Sequence, residues 1–160
     1  MLTGSVAMNY YAQPRMTRDI DLVIALDPQN AESFASLFEE NYYLDRQVIK
    51  NAVSRRALFN LVHNESVIKV DFIILKNDPY RQEEFSRRQR ITLGDFQTWI
   101  VSCADLILSK LWWARDSRSP MQLGDVRNLL TPDCDQAYLQ SRALSLGISD
   151  LLNEVRNQHE

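Results

Sequence analysis

The chain has 160 residues, 45% of them apolar, with 18 basic and 21 acidic side chains and a formal net charge of −3. That length and mixture suit a single soluble domain with a sizeable core and exclude wholesale disorder. The net acidity excludes a general attraction to nucleic acid, so any such contact must be local. No apolar run approaches membrane-spanning length, and no basic segment followed by an apolar run marks a signal peptide. Cys103 and Cys134 lack metal-like or redox-like spacing and read as isolated small residues in a reducing compartment. A cytoplasmic protein without a membrane partner is the expectation.

In chain order, Thr3-Gly4-Ser5 forms a small flexible turn that opens a helix over 4–12, with Val6 and Met8 to Tyr11 supplying apolar surface. Pro14 ends that helix, because the residue before proline is pushed out of the helical region. A strand follows over 19–26. Its two carboxylates, Asp19 and Asp21, alternate and so project from one face, with Ile20 and Leu22 on the other. Two carboxylates side by side repel, and a hard cation such as Mg²⁺ is the usual remedy. Beside them, backbone N–H groups of the glycine turn can hold a phosphate. The pair makes a plausible site for a nucleoside triphosphate.

Asp27-Pro28 starts a helix whose spacing runs over 31–40 through Phe34, Leu37 and Phe38, and a weaker helix spans 45–53. Strands are expected over 58–63 and 66–75, joined by a tight turn at His63-Asn64-Glu65. Asp71 interrupts the second, otherwise apolar strand, where a carboxylate is costly unless something pairs with it. It either marks a solvated edge or an ion pair, or it is a third metal-site carboxylate brought beside Asp19 and Asp21 by strand pairing. The upstream pair favours the latter. A polar helix over 80–88 and short strands over 89–93 and 98–101 follow. From residue 102 the pattern becomes helical: Ala104, Ile107, Leu108 and Leu111 share a face, while Pro120, Thr131-Pro132 and Gly147 punctuate the rest. Strands with interspersed helices and then a run of helices predict an α/β (α+β) core over 1–101, with a C-terminal helical region over 102–160.

Gly4-Ser5, then Arg15-x-Thr17-x-Asp19-x-Asp21, then Asp71 in a downstream strand resembles the signature of the DNA polymerase β-like nucleotidyltransferase superfamily. The closer likeness is to small bacterial nucleotidyltransferases of the AbiEii and MenT types, which act as toxins in toxin–antitoxin or abortive-infection systems. In this resemblance, residues 104–111 look like the family's lysine helix, with Lys110, and 122–126 like its aspartate helix, with Asp125. The resemblance implies a short mixed β-sheet flanked by helices and transfer of a nucleotidyl group from an NTP. It also implies that Gly4 and Ser5 contact the triphosphate and that Asp19 and Asp21 bind Mg²⁺. Asp71 takes the third carboxylate position and helps deprotonate the attacking hydroxyl. Lys110 neutralises phosphate charge, Asp125 supports the lysine or the site, and Arg15 and Thr17 buttress the strand or touch phosphate. Relatives carry a helix and the start of a strand ahead of the glycine turn; here that element is missing or shortened, so either the natural start lies upstream or the sheet edge is built differently.

Plainer roles stand beside these. Lys110 can extend to water from its apolar face, Asp125 can cap a helix after Gly124, and Thr17 can be a turn hydroxyl. Leu111-Trp112-Trp113 reads as helix packing. His63 and His159 read as structural or solvated. Arg87-Arg88-Gln89-Arg90, with Arg81 nearby, is a solvated face or a holder of RNA backbone. Tyr42, Tyr43 and Trp99 are candidates for a dimer contact, and the sequence leaves the oligomeric state open.

The expected function is Mg²⁺-dependent nucleotidyl transfer to RNA, tRNA in the toxin-like relatives, or to a protein hydroxyl. The alternative is a weakly active or inactive binding module, such as the partner of an antitoxin. Transfer to a small polycation would call for an acidic acceptor pocket, and transfer to RNA for a basic groove of Arg87, Arg88 and Arg90.

Overall fold

The structure, a computed structural model, describes residues 1–157; His159 lies outside them. Strand β1 (Leu2–Thr3) runs directly into helix α1 (Gly4–Tyr11), and β2 (Asp19–Ile24) carries the alternating carboxylates. A 3₁₀ turn (Pro28–Asn30), α2 (Ala31–Ser36), β3 (Tyr42–Tyr43) and α3 (Arg46–Arg55) lead to β4 (Leu58–His63) and β5 (Lys69–Ile74). Then come α4 (Pro79–Ser86), β6 (Gln89–Leu93), β7 (Phe96–Ile100) and four helices, α5 (Cys103–Ser117), α6 (Pro120–Leu129), α7 (Gln136–Ser145) and α8 (Ser149–Asn157). Among the described residues the strands form one seven-stranded mixed sheet, ordered β3-β4-β5-β2-β1-β7-β6.

The centre of this sheet positions the site. β2 and β5 pair in parallel, which sets Asp19 opposite Lys69 and Asp21 opposite Asp71. β1 pairs antiparallel with β2 and parallel with β7, so Leu2 and Thr3 join the two halves of the sheet instead of forming its edge.

Several elements differ from the sequence expectation. The strand at 19–26 ends at Ile24, where its pairing with β5 ends. The helix expected to reach residue 40 stops at Ser36, and Leu37 is exposed while Phe34 and Phe38 turn inward. Those two rings lie 5.0 Å apart and meet Phe72 edge-on, so the buried face is an i, i+4 pair and Leu37 falls outside it. The connection after His63 is longer than a tight turn: the Val67 N–H donates to the His63 carbonyl at 2.9 Å. Val67 there adopts φ +57°, an unusual backbone for a β-branched residue. α1 ends at Tyr11, three residues before Pro14.

Two apolar clusters hold the fold. One side of the β4–β5 half, with Phe59, Leu61, Val70 and Phe72, is covered by Ala31, Ala35, Ile49 and Val53 from α2 and α3. The larger cluster joins Leu2, Met8 and Ile100 to Leu106, Leu111, Val126, Leu139 and Leu152 of the C-terminal helices. The helices after residue 102 thus pack on the same core as α1 and β1. Ile20 and Leu22 touch both clusters, on the face of β2 away from the carboxylates.

Candidate active site

Asp19, Asp21 and Asp71 share one sheet face because β2 and β5 alternate in step. Asp71 is 9% exposed, and its Oδ1 has no hydrogen-bond partner. Burial, and then the charges of Asp71 and Asp19, push the Asp21 carboxyl above its usual range. Among the described residues, however, no group of three or more His, Cys, Asp or Glu side chains is gathered closely enough to hold a metal ion as it stands. The Lys69 ammonium lies among the carboxylates, 2.9 Å from Asp71 Oδ2 and 3.8 Å from Asp19 Oδ2. A set of hard oxygens that repel one another, one of them buried and unpaired, nonetheless fits a hard divalent cation.

The glycine turn lies against this group. Gly4 has φ +60°, and a Cβ there would fall 2.0 Å from Asp21 Oδ2, so only glycine allows the approach. Thr3 makes no side-chain cap, and the Ser5 backbone N–H donates to the Asp21 carboxylate. A run of polar contacts leads on from Ser5. Arg15 Nη2 donates to Ser5 Oγ at 2.8 Å and to Asp125 Oδ2 at 2.9 Å, and Arg15 Nε donates to Asp125 Oδ1 at 2.9 Å. Lys110 Nζ donates to the same Asp125 Oδ2 at 2.7 Å and to Gln122 Oε1 at 3.3 Å. Burial opposes ionisation of Asp125, but the hydrogen bonds from Arg15 and Lys110 outweigh it and hold the carboxyl below its ordinary range.

Lys110 is therefore buried and paired, not extended to water, and Asp125 lies inside α6 and caps nothing. Thr17 Oγ1 bonds the backbone of Asp19, as a turn hydroxyl does.

A cavity of about 280 Å³ opens over these groups, between the sheet and α5. Gly4, Ser5, Asp21 and Lys110 line it together with Arg81, Glu84 and Ser109. Apolar lining comes from Val23, Ile73 and Leu75. Trp113 lines it while remaining 73% exposed, so this tryptophan is not the packing residue its neighbours suggested.

Glu84 escaped the sequence reading. It is buried, accepts from Arg81 at 2.8 Å and from Ser109 at 2.6 Å, and burial pushes its carboxyl above the usual range. The helical spacing carried no signal for it, because glutamate on a polar helix normally faces water.

Two arginines of the 87–90 cluster are engaged internally, while Arg90 is exposed. Arg87 donates to the fully buried Asp105 at 3.1 Å and stacks over Tyr138, while Arg88 lies over Phe85 and Trp99. Asp105 in turn accepts from Ser102 and Tyr138, which ties α5 to α7. Cys103 and Cys134 are free thiols that neighbour one another rather than lying isolated, and Cys103 Sγ donates to the Leu129 carbonyl at 3.6 Å. His63 is bonded to Ser66 in its turn.

No protein-family model matches the chain, and no curated protein matches it in sequence. Among solved structures, the chain is similar to a lincosamide antibiotic adenylyltransferase, LnuA, whose crystal structure has lincomycin bound. The two superpose with a TM-score of 0.53 at 14% identity, over 80% of this chain and 83% of that one. The fold is accordingly nucleotidyltransferase-like, a mixed sheet flanked by helices.

Proposed function

We propose that the protein transfers a nucleotidyl group from an NTP to an acceptor hydroxyl, with Mg²⁺ held by Asp19, Asp21 and Asp71. The observation that carries this reading is that Asp21 of the carboxylate face, Gly4 and Ser5 at the start of α1, and Lys110 line one cavity, with Asp125 and Arg15 linking Lys110 to Ser5 behind it. When bound, Mg²⁺ would neutralise charge on the phosphates and on the carboxylates.

This chain's own residues supply positioning, on which nucleotidyl transfer mainly depends. The start of α1, with the Ser5 hydroxyl, receives the triphosphate. Lys110 faces the same cavity as a point charge, with Asp125 and Arg15 fixing its place. Nucleoside surface rests on Val23, Ile73 and Leu75, beside Trp113. The acceptor oxygen attacks the α-phosphorus, the bond from that phosphorus to the bridging oxygen breaks, and pyrophosphate leaves. The hydroxyl proton passes to Asp71, whose buried Oδ1 is unpartnered.

RNA is the acceptor in the toxin-like form of this reading, in which an antitoxin would be the protein partner. A small-molecule acceptor is the second form. It is favoured by the engagement of Arg87 and Arg88 in internal contacts, which leaves Arg90 as the exposed member of the basic groove that RNA would need. The neighbour LnuA, named for a small antibiotic, points the same way.

The test is transfer of label from each α-phosphorus-labelled NTP, with Mg²⁺, to total RNA, to protein and to a panel of polyhydroxylated antibiotics. Label that vanishes in Asp19→Ala/Asp21→Ala names nucleotide and acceptor together. No transfer to any acceptor and no Mg²⁺-dependent NTP binding would leave a binding module with this fold.

A further inference from the structure

Lys69 has no part in the signature residues, yet it makes the closest contact that any cation makes with the carboxylate face. We infer that Lys69 is an internal counter-ion that occupies the cation position of the metal-free protein and must be displaced when metal enters with the nucleotide. This rests on the reading of Asp19, Asp21 and Asp71 as a metal site.

Lys69 precedes Asp71 by two residues on β5 and lies opposite Asp19 on β2, so strand alternation places all of these side chains on one face. On the other side, β4 offers only neutral partners: Asn60 opposite Asp71 and Val62 opposite Lys69. Three carboxylates thus face one ammonium, which reaches two of them and leaves Asp71 Oδ1 unsatisfied. That balance stabilises the empty site without saturating it.

Displacement is feasible because the Lys69 side chain is 38% exposed and its flexible stem can carry the ammonium into water. Lys110 differs in both respects, being buried and held by Asp125 and Gln122. The two lysines then have opposite duties, one fixed for phosphate and one yielding its place. A free divalent ion must expel Lys69 unaided. A metal–nucleotide complex brings phosphate contacts at α1 and Lys110 that offset the displacement. Lys69 would therefore bias the site against free metal and toward metal arriving with nucleotide.

The experiment is Mn²⁺ binding followed by electron paramagnetic resonance, with and without a non-hydrolysable NTP, in wild type, Lys69→Met and Lys69→Arg. Methionine keeps the length and packing and removes the charge. Free Mn²⁺ should bind Lys69→Met on the order of tenfold tighter than wild type, as expected when a like charge within about 4 Å is removed. Lys69→Arg should remain close to wild type. The advantage that nucleotide gives to Mn²⁺ binding should shrink in Lys69→Met. Asp21→Asn placed in the Lys69→Met background should abolish the gain and so locate it. Equal or weaker Mn²⁺ binding by a folded Lys69→Met, while wild type binds Mn²⁺ with nucleotide, would overturn the counter-ion role and leave the metal site standing. Absence of Mn²⁺ binding from every variant, with nucleotide present, would instead remove the metal site on which the role depends.

Discussion

A methyl group at position 4 would collide with Asp21 Oδ2 and would also have to accept a left-handed backbone. Gly4→Ala should therefore lose about 1–2 kcal/mol of stability from the backbone alone. It should also weaken nucleotide binding by tenfold or more, read by calorimetric titration against thermal melting. Asp125 bears on pH. Its folded carboxyl titrates below the ordinary value of about 3.9, so its stabilisation is present above that value and lost as pH falls through the lower folded pKa. Asp125→Asn should melt at a lower temperature at neutral pH, because Arg15 and Lys110 lose their shared anion. Its stability should then fall less steeply than that of wild type in acid, a difference that urea unfolding across the pH series would measure. At this scale the site was legible where a residue type is unusual for its element. Asp71 in an apolar strand and Lys110 on an apolar helix face were both visible. Lys69 was not, since a lysine at a strand start is ordinary and its importance depends on what lies opposite it on another strand.

At the scale of elements, the β4–β5 connection is strained at Val67, which is exposed and sits at φ +57°. Asparagine tolerates that region far better than a β-branched residue. Val67→Asn should stabilise the protein by about 1 kcal/mol in chemical denaturation, with the hairpin register unchanged. A drop in stability would show that the valine makes apolar contacts worth more than its strain. The main strands and helices were legible because their apolar periods are long enough to count. β1 and β3 were not, because two residues carry no period. Leu37 was misplaced for a related reason: a short helix offers several apolar faces, and the aromatic partners of Phe34 and Phe38 decide among them.

Across the whole molecule, α1 and β1 share their apolar cluster with α5, α6, α7 and α8. Residues 1–101 expressed alone would expose Leu2, Met8 and Ile100. That piece should show no cooperative thermal transition by circular dichroism, whereas the full chain should melt in one. The change from strands to helices near residue 102 was legible as a change of pattern. The order of the sheet was not, because pairing of β2 with β5 and of β1 with β7 is a property of chain crossings. Composition says nothing about those crossings.

The parallel seam between β2 and β5 also bears on how the protein comes into being. Asp21 meets Asp71, fifty positions further along, only after the intervening loop has closed, and such distant pairings form late because their entropic cost precedes their reward. A chain emerging from the ribosome carries Asp19 and Asp21 long before their third companion. The group of carboxylates is therefore assembled late in folding, and a half-made chain lacks it.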